Sequence, residues 1–564
     1  MQTFIAILLG SVIVLSFWLY KRYRKKKKIR ERFKKNWGQP KNKSYNWGQI
    51  RNYHDYLKES ATNYQIDDDT WDDLNLADIY SKIDHTISPI GQQVLYNILH
   101  SPLFDEEELE KRKQFVEIFR DENFRVQLQL KLNELNNAQI WRLPNLLFNN
   151  LPKIPKWYNA LLLIPFFVLS CIVLGFINPI FFLGLGIIPV LNMIVQYIVG
   201  KRIRRYTLAL SGISPLLTQT EAICTLDSNC QHPLGSIGES LRSQSQKLSK
   251  LNRRVHTFLH EGNHNSLGGL FWDYLDILLL LKINMFTLSV KSIAQNKDTL
   301  KKLYHNIGYI DAMLAVSSFK SSLSEYCHPK FTDDNIQLNY NQAYHPLLDQ
   351  PVANSINIEQ KGILITGSNM SGKTTFLKTI GINQLFAQTL NFCFADQATL
   401  SFCNIITSMR REDNLQKGKS FYLGEVDRVK KLIDLATNSE YRNLFLLDEI
   451  FRGTNTIERI SASLEVLKWL RNKSNFVLAS THDLELVDLL GKDYEFYHFT
   501  ETVRGETMNF DYKIKEGYSS TRNAIKLLAI NKYPEEIVTN ALEMAEILEE
   551  QETVNFTANN NLKN

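Results

Sequence analysis

The apolar positions of this chain fall into three kinds of run. The first is unbroken: Phe4 to Tyr20 carries no charge, and Tyr158 to Gly200 extends 43 residues without one. At about 20 residues per membrane-crossing helix, these runs predict a span over 4–20 and a hairpin of two spans, 158–176 and 180–200. The hairpin should turn near Phe176-Ile177-Asn178-Pro179. A buried soluble hairpin is the alternative, but soluble helices seldom stay uncharged for so long. The second kind is short and continuous. Lys361–Thr366, Asn443–Leu447 and Phe476–Ser480 each predict a buried strand. The third has helical spacing, as in the stretch from Thr374 onward, TTFLKTIGINQLFAQTL.

Charge sharpens the first pattern. Lys21 to Lys35 holds eleven Lys or Arg against one Glu, a net +10 in a chain whose total is +6, so all remaining residues sum to −4. The sequence pI near 8.7 is therefore the work of one segment and does not indicate a basic DNA-binding body. The charges follow the apolar run and no small-residue cleavage site appears, which predicts an uncleaved anchor rather than a signal peptide. Basic residues concentrate on the cytoplasmic side, so the N-terminus is expected outside and the chain from Lys21 in the cytoplasm. Lys153, Lys156 and Lys201-Arg-Ile-Arg-Arg205 flank the hairpin and place both its ends inside too. The six cysteines show no C-x-x-C pair, so neither a zinc site nor a disulfide framework is expected.

The strand ends carry the chemistry. Between the strand at 361–366 and the following helix lies Gly367-x-x-x-x-Gly372-Lys373-Thr374. Glycines let backbone N–H groups wrap a phosphate, and the helix N-terminus adds its dipole. The expected cradle is Gly367, Ser368, Asn369, Met370, Ser371, Gly372, Lys373, Thr374 and Thr375, with Lys373 on the β- and γ-phosphates of ATP and the Thr374 hydroxyl on Mg²⁺. The strand Asn443–Leu447 ends in Asp448-Glu449: Asp448 is the expected second metal partner, and Glu449 the carboxylate that orients or deprotonates water. His482, at the tip of the strand Phe476–Ser480, is expected near the γ-phosphate. Ligands of open α/β sheets sit at this carboxyl edge.

These residues resemble those of the MutS family of DNA mismatch repair ATPases. Thr366-Gly-Ser-Asn-Met-Ser-Gly-Lys-Thr374 is similar to the family's T-G-P-N-M-x-G-K-S, and Leu447-Asp-Glu-Ile-Phe-Arg-Gly-Thr-Asn-Thr456 to its L-D-E-I-G-R-G-T-S-T. Ser480-Thr-His482 resembles A-T-H, and Tyr344-His345-Pro346 resembles R-H-P. In the N-terminal half, the stretch from Ile83 to Leu95 looks like the family's L-D-x-T-x-T-x-x-G-x-R-x-L helical core. The resemblance implies an ABC-like α/β P-loop ATPase domain of MutS type, preceded by an all-α lever and core domain that here carries transmembrane helices. It also implies a homodimer. Gly418-Lys419-Ser420 with Phe421–Glu425 resembles G-x-S-T-F-M-x-E, which would bring Ser420 to the partner subunit's γ-phosphate, and the stretch 521–550 resembles the dimerisation helices. Two departures stand out: Phe451 replaces a glycine, and Ser408-Met409-Arg410 replaces R-x-G.

The organisation expected from these readings is an anchor and basic stretch at 1–35, helical core at 36–152 and 206–330, the membrane hairpin at 153–205, and the ATPase at 331–520. Dimerisation helices at 521–550 and a disordered tail at 551–564 complete it. The reading is a cell-membrane, multi-pass ATPase with its catalytic domain in the cytoplasm, bound to membrane lipids and binding DNA without strong preference for a mismatch. Family readers wedge an F-x-E phenylalanine into the base stack, and the 48 residues Asn36–Ile83 are too few for that domain. Phe104-Asp105-Glu106 and Phe115-Val116-Glu117 fall within the helical core match. Basic residues Arg242, Lys247, Lys250, Arg253 and Arg254 are expected on a solvated helix face more than on phosphate. The competing reading is a transporter-like or membrane-shaping machine that does not act on DNA. The L-S-G-G-Q signature of nucleotide-sandwich transporters is absent, and three spans are few for a pore.

Overall fold

The computed structural model describes residues 2–547 except 42, 60–62, 150–154, 156, 259–266, 333–335, 369, 410–420, 440, 473–474, 505–506, 519–524, 526–527, 530 and 546. At 2–15, 18, 201–210, 253–258, 267–271, 421, 438, 472, 502–504 and 507–508 it describes the backbone alone. Two compact units result. One comprises Met1–Asn63, Tyr80–His100 and Glu110–Leu323; the other comprises Tyr64–Ile79, Ser101–Leu109 and Ser324–Asn564. Residues 64–79 and 101–109, expected to belong with the helical core at 36–152, are thus built into the unit that holds the phosphate-loop motif.

The first unit is helical. Its centre is the helix Pro89–His100 against the helix Lys297–Lys320, and two glycines set how closely they approach. A Cβ at Gly91 would lie 2.2 Å from Asp311 Oδ2, and one at Gly308 2.4 Å from Val94 Cγ2. Asp311 is fully buried and accepts from the amides of Ile87 (3.0 Å) and Ser88 (2.7 Å) and from Ser88 Oγ (2.6 Å). It thereby satisfies the donors left open where the helix begins. This explains the Thr-Ile-Ser-Pro-Ile-Gly string locally: Ser88 caps, Pro89 starts the helix, and Gly91 admits the carboxylate.

The apolar hairpin forms as its pattern predicts. Tyr158–Gly175 and Pro179–Gly200 are each long and apolar enough to cross a membrane, and only 22% and 11% of them is buried within the protein. The turn lies where it was expected, with Asn178 Oδ1 accepting from the Ile180 amide at 3.1 Å. The expected span 4–20 falls within one continuous helix, Gln2–Lys35, and its side chains lie mostly outside the described residues.

The second unit is α/β. Its strands are β1 (Lys330–Phe331), β2 (Leu338–Ala343), β3 (Asn354–Ile358), β4 (Gly362–Thr366), β5 (Gln397–Leu400), β6 (Asn404–Ser408), β7 (Asn443–Asp448), β8 (Phe476–Ser480), β9 (Tyr494–His498), β10 (Glu501–Arg504), β11 (Thr507–Phe510) and β12 (Lys515–Glu516). The central sheet has six strands in the order β12-β9-β4-β8-β7-β6, parallel from β9 to β6 with β12 antiparallel at the edge. Every residue of β4 and β8 is buried, as expected for strands covered on both faces. Leu432, Leu467 and Leu470, from helices Phe421–Asn438 and Thr456–Asn472, pack with Phe445, Leu447 and Val477 on one face. The helix Lys373–Leu390 covers the other, where a Cβ at Gly381 would lie 2.7 Å from Leu446 Cδ1. A smaller sheet, β1-β5-β2-β3, flanks this core.

The close packing at Gly91 makes a direct test. Gly91→Ala should cost about 1–3 kcal/mol through overpacking against Asp311. Gly48→Ala, whose Cβ would meet only Asn46 Oδ1 at 3.6 Å, should change stability by less than about 1 kcal/mol. Denaturant titration of the solubilised protein compares the two.

Candidate functional site

The carboxyl ends of β4, β7 and β8 converge on one cavity edge. The loop after β4 needs its glycines for two reasons. Gly367 has φ 139° and Gly372 φ 111°, both in the region that disfavours a side chain. A Cβ at Gly367 would also lie 2.7 Å from Phe499 O, and one at Gly372 3.3 Å from Tyr512 Cδ1. Lys373, which opens the helix, is buried, and its ammonium folds back to donate to Gly367 O (2.8 Å) and Ser368 O (2.9 Å). Ser371 Oγ is buried without a hydrogen-bond partner among the described residues. The loop therefore presents a cation and an unsatisfied hydroxyl where an anion is to be cradled.

Beside it, Thr374 Oγ1 donates to Asp448 Oδ2 at 2.8 Å, while Ser480 Oγ donates to the other oxygen of the same carboxylate. A hydroxyl and a carboxylate in contact at a helix N-terminus are the oxygen donors that Mg²⁺ accepts, so the residues present fit that ion together with a phosphate. Glu449 follows at φ 53° and Phe451 at φ 60°. Left-handed backbone at two non-glycine residues within three positions is stored strain. It explains the departure at Phe451: a glycine in that place meets the required φ at no cost, and this chain meets it with a buried aromatic. The Glu449 amide is held by Ser480 O at 3.0 Å. Its carboxylate, nearly buried, contacts His482 Nε2 at 2.7 Å and is paired with Arg452. Glu425 closes this turn from helix Phe421–Asn438, accepting from the amides of Arg452 (3.3 Å) and Gly453 (3.2 Å).

Burial, with the cations Lys373 and Arg452 nearby, pushes the His482 pKa down to about 4. The ring is neutral at physiological pH and meets Glu449 through a hydrogen bond, not an ion pair. Lys373 Nζ lies 3.4 Å from the same ring nitrogen.

A cavity of about 640 Å³ adjoins these groups, lined on one side by Ser368, Met370–Phe376 and Glu449 and on the other by His345, Leu348, Asn354 and Tyr512. That volume suits a nucleotide. Of the expected site residues, Gly367, Lys373, Thr374, Asp448, Glu449 and His482 are brought together. Ser368 lines the cavity while its hydroxyl donates to Glu501 (2.8 Å), Met370 stands exposed at φ 70°, and Thr375 lines the wall. Asn369 and Ser420 lie outside the described residues. Sequence patterns gave no role to Ser480, Glu425 or Tyr512; the first two stand inside motifs already quoted, and Tyr512 carries no local signal.

A second cluster braces the sheet edge. Asp67 and Asp69 accept from Arg428 Nη1 at 2.7 and 2.8 Å, and Lys431 Nζ reaches Asp67 at 2.7 Å. Arg428 Nε also donates to Thr407 O, and Asp73 accepts from Thr407 Oγ1 (2.6 Å) and the Met409 amide (2.9 Å). Arg428 and Lys431 offset the burial of Asp67 and hold its carboxyl well below the usual range. Residues 64–79 therefore strap β6 to the helix Phe421–Asn438. Of the two F-x-E phenylalanines, Phe104 stacks on Tyr441 (4.0 Å between centroids) and Phe115 is buried against Phe119 and Tyr309. Arg242 is paired with the buried Asp227.

Residues 363–549 match the family described as MutS domain V. MutS protein homolog 4 of Homo sapiens is 28% identical over 328 residues, which is 55% of this chain and 33% of that protein. DNA mismatch repair protein MutS of Thermotoga maritima is 28% identical over 275 residues, 47% of this chain and 34% of its own length. DNA mismatch repair protein MSH3 of Candida albicans is 34% identical over 191 residues, 32% of this chain and 18% of its own. The match covers about a third or less of each of these relatives.

Two outcomes follow from the geometry. Arg428→Ala leaves Asp67 with Lys431 and the Thr70 amide and should cost about 2 kcal/mol, the scale of a hydrogen bond to a charged group, read by denaturant unfolding. For His482, the unfolded ring takes its proton near pH 6.5, whereas the folded ring resists down to about 4. Folding stability from this group is thus fully present above about 6.5 and is lost as pH falls toward 4. The ring proton resonance of His482 should show no titration step between pH 5.5 and 8; a midpoint near 6.5 would contradict the buried, cation-flanked setting.

Proposed function

The chain belongs to the MutS family, and from that premise we propose that it is a membrane-tethered ATPase that acts as a homodimer and binds DNA. The observation that carries this reading is the convergence of Lys373, Thr374, Asp448, Glu449 and His482 at one sheet edge beside a nucleotide-sized cavity. ATP is the substrate. Lys373 exchanges its loop carbonyls for phosphate oxygens, and the loop amides with the Ser371 hydroxyl supply further donors. Thr374 and Asp448 would hold Mg²⁺, which when bound neutralises phosphate charge. Glu449 orients the attacking water and takes its proton. The neutral His482 ring, and Arg452 on the other side, fix the direction of that carboxylate. Ser420 completes the partner subunit's site, and the stretch 521–550 joins the subunits.

The hairpin 158–176 and 180–200, with the anchor 4–20, ties this machine to the cell membrane, the ATPase lying in the cytoplasm. DNA is held through its phosphates and shape, with little preference for a mismatch. The engagement of Phe104 and Phe115 inside their units supports that reading, because neither ring is free to enter a base stack. ATP then switches a membrane-held clamp.

The test uses Glu449→Gln in reconstituted protein. ATP binding should persist while turnover falls by at least about 100-fold, the range for loss of a positioned base. In the same preparation, affinity for matched and mismatched duplex should fall steeply and equally with salt. Unchanged turnover removes Glu449 from the base role. A mismatch preference of tenfold, about 1.4 kcal/mol, would reveal a reader, and no binding to any duplex would leave an ATPase that works on the membrane itself.

A further inference from the structure

In the helical unit, helix Leu267–Leu279 is followed after one residue by helix Leu281–Gln295. Trp272–Leu279 and Leu281–Gln295 together are long and apolar enough to cross a membrane, but they meet at a bend of 70°. Leu280 makes the bend, at φ 50° and ψ 42°, and its side chain is fully buried. Left-handed backbone costs a leucine about 1–2 kcal/mol, so the surroundings must hold it there.

A helix that stops leaves its last carbonyls without amide donors. Here side chains take them all. Asn192 Nδ2 donates to Ile277 O (2.9 Å) and Leu278 O (2.8 Å), Gln196 Nε2 to Asp276 O (3.1 Å), and Asn284 Nδ2 to Leu279 O (3.1 Å). The Lys282 amide is satisfied by Asp276 Oδ1 at 2.7 Å. Asn192 and Gln196 are the only two amide side chains between Pro179 and Gly200, and both are used on this break. A surface bend in water needs no such provision, whereas a break shielded from water does.

The side chains around the break set its depth. Tyr197, next to Gln196, is 79% exposed, and Trp272 and Tyr274, within a turn of Asp276, are 49% and 72% exposed; Trp157, at the foot of the hairpin's first helix, is 50% exposed. Lys282 lies 3.6 Å from Asp273 and 3.7 Å from Asp276. Tryptophan and tyrosine concentrate where hydrocarbon meets headgroups, and three charged groups at one level exclude the hydrocarbon layer itself. Leu281–Gln295 then turns away, burying Ile283, Phe286, Val290 and Ile293 in the helical unit.

We propose that residues 272–280 form an interfacial membrane element. The segment lies in the headgroup layer at the hairpin end nearest Gly200, touches lipid through Trp272 and Tyr274, and is locked to the hairpin by Asn192 and Gln196. The partner is the bilayer surface, and the inference rests on the hairpin spanning that bilayer.

Spin labels on single cysteines in a cysteine-free background test it, with the protein in vesicles of phosphatidylcholine and phosphatidylglycerol. Labels at Val190, Tyr274 and Asp298 are compared by collision with oxygen, which favours lipid, and with a nickel chelate, which favours water. The label at 190 should be lipid-like, that at 298 water-like, and that at 274 intermediate, within about 10 Å of the headgroup boundary. Asn192→Leu with Gln196→Leu makes the hairpin more apolar but removes the lock. The label at 274 should then become several-fold more accessible to nickel while 190 stays lipid-like. A water-like label at 274 beside a lipid-like one at 190 overturns the interfacial element alone. A water-like label at 190 overturns the spanning hairpin and the inference with it. An unmoved 274 label in the double variant removes Asn192 and Gln196 from the lock and overturns that part of the proposal.

Discussion

One short contact organises the α/β unit: the hydroxyl of Thr374 on the carboxylate of Asp448, 2.8 Å apart. It joins the first turn of the helix after β4 to the end of β7, and Ser480 brings β8 to the same carboxylate. Three strands distant in sequence therefore end at one pair of oxygens. Everything chemical is measured from there. Glu449 takes its strained backbone from the chain leaving Asp448, His482 its place from the chain leaving Ser480, and Lys373 its place from the residue before Thr374. A parallel sheet buried on both faces allows this, because its strands can only be read at their ends.

Motif chemistry and apolar run length were legible because each is a short-range pattern. The strands β4, β7 and β8 lie where continuous apolar runs put them, and the hairpin turns at Asn178-Pro179, where run length and a proline agree. Phe451 was legible as a departure, but its cause was not: only the observed φ of 60° shows why a glycine suits that place. The strap Tyr64–Ile79 left no trace. Its acidic residues look like a solvated turn until Arg428, 361 positions away from Asp67, is seen between them. Pairings at that separation have no period, and propensity carries no information about them.

The helical unit was readable in the same uneven way. The string around Ser88-Pro89-Gly91 betrays a capped, closely packed helix start, although the acceptor it needs is Asp311, over two hundred residues on. The break at Leu280 was hidden for the opposite reason. Leucine carries no turn signal, and the segment around it looks like ordinary core helix. Polar residues in an apolar hairpin were the available clue, since Asn192 and Gln196 are the two amide side chains between Pro179 and Gly200.

The strap also bears on how the chain is made. Asp67 leaves the ribosome 361 residues before Arg428, and at about 5–20 residues per second that is a wait of roughly twenty to seventy seconds. For that time Tyr64, Thr70 and Asp73 have no sheet edge to bind. Strand β6 and helix Phe421–Asn438, once made, must recruit a partner made 361 residues earlier. Such long-range closure is slow. A fragment of the chain starting at Ser324 would emerge faster, yet with a raw seam along β6 that its own residues cannot close. The smallest cooperative version of this α/β unit is therefore discontinuous, and its first segment is translated before most of the helices that separate it from the rest.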